Sequence, residues 1–314
     1  MTRSPFAPHL AARGHVLLDG GLASQLELEG HDLDHSLWSA RLLEEDPDAI
    51  RRAHGAFLDA GADCVISASY QATPQGLRRT GASATEARAL ILRSLELAEQ
   101  ARDEFVAGRG AGPTSPAPVV AASIGPYGAY LADGSEYRGD YGAGSAALVD
   151  FHRERFELLA ERAELLAIET IPSLVEVEAL RELLLEQPGV AAWVSFSCRD
   201  GAHLADGAPI ERAAEALEGL ENLVAVGVNC TAPEHVDSLL GRLAERRTGA
   251  ELLAYPNSGE RYEAETKTWS EERSSGDLPD LAAGWRARGA RLIGGCCRVT
   301  APDLARLAAA MGRT

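Results

Sequence analysis

No stretch of this chain approaches the roughly 20 consecutive apolar residues that cross a bilayer. The opening Met1-Thr2-Arg3-Ser4-Pro5 also lacks the apolar stretch of a secretory signal, so no membrane partner is expected. Basic residues are in deficit: 30 Lys and Arg stand against 47 Asp and Glu, for a formal net charge of −17. A nucleic-acid backbone would be repelled, whereas a small cation would be tolerated or mildly attracted. Cysteine is scarce too. Five residues, unevenly spaced and without a CxxC pair, argue against a disulfide framework and for reduced thiols in a cytoplasm. There is no internal repeat beyond the alternation of elements that follows.

What is present is ample core material, with 46% hydrophobic and 25% charged residues, a soluble globular composition. Eight short apolar runs recur: Val16–Asp19, Cys64–Ser69, Val119–Ile124, Leu165–Ile171, Val190–Cys198, Val224–Cys230, Glu251–Tyr255 and Ala290–Gly295. Between them lie segments of helical periodicity, among them Glu86–Phe105, Phe151–Ala163, Leu174–Leu185, Ile210–Leu220, Val236–Arg246 and Pro302–Met311. Near-continuous apolar strands alternating with helices predict a parallel sheet covered on both faces. Eight such units predict an α/β fold, a (β/α)8 TIM barrel, and residues 1–314 are an ordinary length for one such domain.

The helix starts agree. Ser173-Leu174-Val175-Glu176 and Thr231-Ala232-Pro233-Glu234 fit the capping box, and Thr300-Ala301-Pro302-Asp303 is a variant with Pro in the first turn. The Gly/Pro/Ser stretch Gly108–Pro118 reads as a connector on the barrel's inert face. Gly125–Gly142 and Asn257–Asp277 exceed what a βα turn needs, which marks them as lid or binding loops.

Gly227-Val228-Asn229-Cys230-Thr231 and Gly294-Gly295-Cys296-Cys297-Arg298 each end an apolar run and precede a helix start. Both therefore belong on the C-terminal rim, where barrel enzymes keep their chemistry. Three thiolates there would leave a zinc ion one position short of a closed tetrahedron, the mark of a catalytic rather than structural site. Adjacent strand residues point to opposite faces, so Cys296 and Cys297 can share an ion only if Gly294 and Gly295 free the backbone. Core packing or a redox pair would explain the same residues. Cys64 and Cys198, inside apolar runs, read as small buried hydrophobes. His31 and His35, four apart in His31-Asp32-Leu33-Asp34-His35, could share a metal only from a helix, and their Gly- and Asp-rich setting predicts a loop.

From about Val16 to Met311 the chain resembles the homocysteine S-methyltransferase family. The resemblance rests on Asp19-Gly20-Gly21, Ser36-Leu37-Trp38-Ser39-Ala40, Ser67-Ala68-Ser69-Tyr70-Gln71-Ala72-Thr73, Ala167-Ile168-Glu169-Thr170, Tyr255-Pro256-Asn257-Ser258-Gly259-Glu260 and the two cysteine motifs. It implies a (β/α)8 barrel whose three-cysteine zinc site is Cys230, Cys296 and Cys297. The run Gly125-Pro126-Tyr127-Gly128-Ala129-Tyr130-Leu131-Ala132-Asp133-Gly134-Ser135-Glu136-Tyr137 resembles the branch that uses S-methylmethionine. Without appended cobalamin or folate modules, the chain is similar to the small stand-alone enzymes, monomeric or a small homo-oligomer.

A free thiol, with a pKa near about 8.5, is mostly protonated at neutral pH, and coordination to zinc deprotonates it. On this expectation homocysteine binds beside Cys230, Cys296 and Cys297 and takes a methyl group from a sulfonium donor, giving methionine. Asp19 and Glu169 would hold the ammonium of homocysteine, as the resemblance also implies. The backbone around Gly20 and Gly21 would hold its carboxylate. The plain alternative for Asp19 is a helix N-cap. Asn229 would either orient the Cys230 loop or touch substrate. Tyr130, Asp133 and Tyr137, with Trp269 from the other long loop, are candidates for facing the sulfonium. Three rival expectations remain. One is selenocysteine or another thiol as acceptor, with S-adenosylmethionine as a possible donor. A second is a phosphate-handling barrel lyase or isomerase with phosphate on Gly294-Gly295. The third is a zinc-storing or redox-sensing protein using Cys296 and Cys297.

Overall fold

The eight apolar runs become eight parallel strands around one barrel. A computed structural model describes residues 4–33, 41–109, 116–246, 248–263, 268–273 and 276–312. The strands are β1 (Val16–Leu17), β2 (Cys64–Ile66), β3 (Val119–Ile124), β4 (Leu165–Ile171), β5 (Ala191–Phe196), β6 (Leu223–Asn229) and β7 (Glu251–Tyr255). After a hairpin, β8 (Glu260–Glu263) and β9 (Thr268–Arg273), comes β10 (Ala290–Ile293). Hydrogen-bonded neighbours run β1-β10-β7-β6-β5-β4-β3-β2. A parallel bridge from Leu18 to Cys64 closes the ring.

Period-two alternation divides each strand between two cores. Val16, Leu18, Cys64, Val119, Ala121, Leu165, Ala167, Trp193, Leu253, Tyr255 and Leu292 fill the barrel interior. Their neighbours Leu17, Val65, Val120, Leu166 and Ala192 pack outward into the apolar layer under the helices. Cys64 is thus a small interior filler. Phe6, just ahead of helix Ala7–Arg13, stacks on Trp193 with ring centroids 6.1 Å apart.

Several expectations about loops and caps change. Asn257–Asp277 contains the antiparallel hairpin β8–β9, with Tyr262 opposite Trp269. Gly125–Gly142 holds a short helix, Tyr127–Leu131, and a 3-10 turn, Ser135–Tyr137. Thr300 and Asp303 form both arms of a capping box, but the other two boxes do not form. Ser173 makes no side-chain cap bond at helix Leu174–Glu186. Thr231 lies before helix Pro233–Ala244, its hydroxyl donating to the Asn229 carbonyl and accepting from the Cys198 N–H. His35, Ser36–Ala40 and residues 110–115 of the Gly/Pro/Ser stretch lie outside the described residues. Among those described, no helix is long and apolar enough to cross a membrane.

Candidate metal and substrate site

The C-terminal ends of the strands surround a cavity of about 500 Å3 lined by Asp19, Gly20, Gly21, Glu169, Cys230, Cys296 and Cys297, among others. The three cysteine sulfurs meet there. Cys230 Sγ is 3.2 Å from Cys296 Sγ and 3.4 Å from Cys297 Sγ, and all three lie within 4.8 Å of one another. Two backbone devices produce this convergence. Cys230 leaves β6 at φ 47°, a left-handed conformation that takes its side chain out of strand alternation. Beyond β10, Cys296 to Val299 form a turn closed by Val299 N–H to the Cys296 carbonyl at 3.1 Å, with Arg298 at φ 64°.

Gly294 and Gly295 serve this turn differently from the expectation. Neither has positive φ; what they supply is close approach. A Cβ on Gly294 would sit 2.7 Å from Leu18 Cβ, and one on Gly295 would sit 2.2 Å from Val299 Cγ1. Gly20 and Gly21 pack on the same turn, where a Cβ on Gly21 would meet the Cys296 carbonyl at 2.5 Å. The Gly21 N–H donates to the Val299 carbonyl, so it is committed to the fold and not open to a carboxylate.

Two buried carboxylates, Asp19 and Glu169, stand in the same cavity. Glu169 near the end of β4 accepts from the Ser123 hydroxyl and, at 3.1 Å, from the Tyr255 hydroxyl. Tyr255 is held in turn by Trp193 Nε1 at 3.1 Å and Ser195 Oγ at 2.6 Å. Burial pushes the Glu169 carboxyl up to about 7, while these hydroxyl donors pull it down. Asp19 is 1% exposed; its Oδ2 accepts the Ile66 N–H at 2.8 Å and its Oδ1 has no hydrogen-bond partner among the described residues. Burial holds its carboxyl well above the usual range, with the Ile66 N–H opposing and Glu169 adding to the rise. The N-cap alternative fails, because the cap of helix Leu22–Leu28 is Gly21 and carries no side-chain bond. A bound cation would relieve both carboxylates.

Asn229 is a brace. Its Oδ1 accepts the Thr170 N–H and its Nδ2 donates to Thr170 Oγ1, each at 2.7 Å, with a longer contact of 3.9 Å to Cys296 Sγ. Thr170 thereby holds φ 62° beside Glu169. With Ala132 at φ 56°, all four positive-φ non-glycine residues among those described border or adjoin the cavity. Strained backbone of this kind persists where surrounding structure enforces it.

The loop after β3 forms another wall. Tyr137 directs its hydroxyl to 3.6 Å from Cys230 Sγ and 4.0 Å from Cys297 Sγ. Tyr130 and Asp133 stand apart from the cavity lining. The Tyr130 ring lies beneath the Arg79 guanidinium, 4.5 Å from centroid, and Asp133 Oδ1 accepts the Ser135 N–H at 3.0 Å. His31 lines the cavity mouth. Trp269 contributes its backbone to β9. Cys198, after β5, is a separate free thiol.

Sequence patterns missed two residues of the cavity wall and a buried group of three behind it. Glu136, inside the quoted loop, lines the cavity, and burial pushes its carboxyl up to about 7. Tyr70 lines it from the segment after β2. Behind the loops, fully buried Glu176 accepts from the Tyr127 N–H at 2.7 Å, His152 Nε2 at 2.8 Å and the Tyr141 hydroxyl. Arg155 donates to the carbonyls of Gly125 at 2.6 Å and Tyr70 at 3.1 Å, and to His152 Nδ1 at 3.3 Å. His152 therefore carries its proton on Nε2, a neutral ring linking a cation to an anion.

In each cysteine the hydrogen bonds to the other two thiols are the largest influences and oppose one another, and with burial and the neighbouring thiols' charge the net effect raises all three well above the ordinary thiol range. Crowded thiols that resist ionisation individually are a donor set for a soft dication, which stabilises the thiolates together.

Residues 16–311 match the family model described as homocysteine S-methyltransferase. A Bacillus subtilis homocysteine S-methyltransferase, YbgG, is 46% identical over 295 residues, covering 94% of this chain and 93% of its own. One from Escherichia coli is 46% identical over 308 residues, 98% of each chain. The crystal structure of the Escherichia coli homocysteine methyltransferase MmuM in its metallated form superposes with a TM-score of 0.86 at 45% identity, covering 98% of this chain and 99% of that one.

Proposed function

From the premise that this chain belongs to the homocysteine S-methyltransferase family, we propose that it moves a methyl group from S-methylmethionine to the thiol of L-homocysteine, with a zinc ion held by Cys230, Cys296 and Cys297. The carrying observation is the convergence of those three sulfurs, from the ends of β6 and β10, in a cavity that also contains two buried carboxylates. Soft thiolate donors favour zinc among the common divalent ions. The metallated state of the Escherichia coli relative supports a metal at this place. When bound, such an ion supplies the Lewis acidity that keeps the acceptor thiol deprotonated at neutral pH.

The chain's own groups then position two substrates. Asp19 and Glu169 bind the acceptor's ammonium, which neutralises two carboxylates that burial otherwise penalises. Asn229 locks the backbone that presents Glu169 and touches Cys296. Tyr137 packs its hydroxyl on the cysteine sulfurs, beside the place the acceptor thiol would take.

The acceptor sulfur forms a bond to the methyl carbon as the donor's sulfur–methyl bond breaks. The bonding pair stays on the donor sulfur, which passes from sulfonium to neutral thioether, and the acceptor becomes methionine. With S-methylmethionine the donor also ends as methionine. No proton is transferred to the leaving group, so no general acid is needed. Alignment of the two sulfurs with the carbon between them is the principal demand, worth up to about 7–11 kcal/mol. Because the metal site needs reduced thiols, the reaction belongs in a reducing compartment such as the cytoplasm.

A matrix of two acceptors (homocysteine, selenocysteine) against two donors (S-methylmethionine, S-adenosylmethionine), with metal analysis and a chelator control, tests this. Methionine formation should be fastest from homocysteine and S-methylmethionine, with about one zinc per chain and loss of turnover on chelation. No turnover of homocysteine with either sulfonium overturns the proposal, as does full activity in metal-free protein.

A further inference from the structure

The acceptor carries one ammonium, and Asp19 and Glu169 account for it. Of the other carboxylates that line the cavity, Glu27 and Asp32 are exposed; the remaining one, Glu136, is presented by the loop after β3 rather than by a strand end. Its backbone is tightly placed. The Glu136 carbonyl accepts from Ser197 Oγ at 3.0 Å, and its N–H lies against Gly128, where a Cβ would approach to 2.4 Å. Its side chain is not satisfied in the same way: Oε2 is buried and has no hydrogen-bond partner among the described residues. The nearby cation Arg138 is turned to solvent, where its guanidinium donates to Asp140 at 3.2 Å and to the Asp133 carbonyl. A buried carboxylate oxygen without a donor is costly in a folded protein, so a place that keeps one invites a ligand that brings the donor.

Resting on the methyl-transfer reading above, we propose that Glu136 binds the α-ammonium group of the sulfonium donor. Transition-state charge decides between the donor's two cationic groups. The sulfonium loses its charge as the methyl leaves, so a carboxylate in contact with it would stabilise the reactant more than the transition state and slow the reaction. The ammonium keeps its charge throughout. A carboxylate there binds donor and transition state alike, and secures position without raising the barrier. The faces left for the sulfonium itself are aromatic: Tyr70 and Tyr137 line the cavity beside Glu136, and the Tyr137 hydroxyl reaches the cysteine sulfurs where the acceptor thiol must lie. Glu136 is then what makes the enzyme prefer amino-acid sulfoniums over simple ones.

The test compares wild type with Glu136→Gln, using S-methylmethionine as substrate and dimethylsulfoniopropionate, a sulfonium without an amine, as competing ligand. The variant should raise KM for S-methylmethionine about 10-fold or more. It should leave KM for homocysteine, bound zinc and the inhibition constant of the amine-free sulfonium within about twofold. Glu136→Asp, which keeps the charge one methylene further back, should fall between and serves if the amide variant folds poorly. An unchanged KM for S-methylmethionine overturns the assignment. So does an equal loss for both sulfoniums, which would signal a role in loop shape alone. If the wild type turns over no sulfonium, the functional reading fails by itself. Calorimetric binding of S-methylmethionine to wild type and variant then decides the Glu136 assignment: weaker binding to the variant supports it, and equal or absent binding rejects it.

Discussion

The cavity has two kinds of wall, and they are held in opposite ways. Asp19, Glu169 and Cys230 sit at or just beyond the ends of β1, β4 and β6, where ladder hydrogen bonds and the barrel core already fix the backbone. Glu136 and Tyr137 sit on a loop with no sheet beneath it. That loop is fixed from behind by side chains of two outer helices, Ser145–Ala160 and Leu174–Glu186, which bury a charged Arg155–His152–Glu176 relay to tie down Gly125, Tyr127 and Tyr141. The comparison teaches that a strand-built wall is rigid as a by-product of folding, whereas a loop-built wall requires residues devoted to it. On the proposed reading it also separates the tasks: the strand wall would carry the metal ligands and the acceptor's anchor, and the loop wall the donor's.

The sharpest way to break the strand wall is Cys230→Ala. Two sulfurs cannot close the ligand set, so bound metal should fall below stoichiometry and methyl transfer should drop by at least about 1,000-fold. The barrel should remain folded, since Cys230 belongs to the rim and not to the interior cluster. Cys64→Ala is the internal contrast, because that thiol fills the barrel interior. It should keep metal and activity and lose on the order of 1 kcal/mol of stability. Metal analysis and unfolding curves on both variants read the difference. Retained zinc in Cys230→Ala would show that the site is not the one described.

A smaller effect is expected from the loop wall's support. Arg155→Met keeps an unbranched apolar stem but removes the guanidinium, leaving the buried Gly125 carbonyl and the partly buried Tyr70 carbonyl without that donor. The cost should be about 2–4 kcal/mol, visible in a denaturant titration. Zinc content should hold and KM for the donor should rise more than KM for homocysteine. Equal losses for both substrates would mean that the two walls are mechanically one.

The difference between the walls also explains what the sequence disclosed. The strand wall was legible because its residues occupy the ends of apolar runs, and in a parallel barrel every such end faces the same rim. That logic put Cys230, Cys296 and Cys297 on one rim, but core packing or a redox pair stayed open until the family resemblance pointed to a shared metal, and the pattern misassigned the task of Gly294 and Gly295. Whether a glycine serves conformational freedom or close approach depends on what packs against it, and here that is Leu18, far away in sequence, and Val299, across the turn that the cysteine motif itself makes. The loop wall was not legible. Ser173-Leu174-Val175-Glu176 has the letters of a capping box, yet Glu176 turns inward to partners 24, 35 and 49 residues away. Helix-start patterns describe competition within one turn, and they cannot register a buried histidine and a tyrosine that outbid the local N–H. Tyr130 and Asp133 suffered similarly: aromatic and acidic letters marked the right loop, but which of its side chains face inward is set by the helix and 3-10 turn that the loop contains.

A last predicted effect concerns stability in the absence of donor, where a residue kept for binding costs the empty fold. Burial pushes the folded-state Glu136 carboxyl to about 7, from an ordinary value of 4.5. Between those values the folded protein retains a proton that the unfolded chain has released, so rising pH favours unfolding. Below 4.5 both states are protonated and the penalty is absent; above 7 it is complete, at about 1–3 kcal/mol once partial exposure is allowed for. Glu136→Gln does not titrate. The variant and wild type should therefore melt together near pH 4 and separate as pH rises, with the variant the more stable at pH 8. Glu169, pushed to a similar value, carries the same dependence on pH, but its amide variant should start from a deficit at low pH. Its oxygens already accept from Ser123 and Tyr255, and an amide would set an N–H against one of those hydroxyls, so Glu169→Gln should gain nothing at pH 8. Thermal melts of both variants across that range make the contrast direct. A Glu136→Gln protein less stable than wild type at pH 8 would show that the loop's carboxylate is already satisfied within the fold.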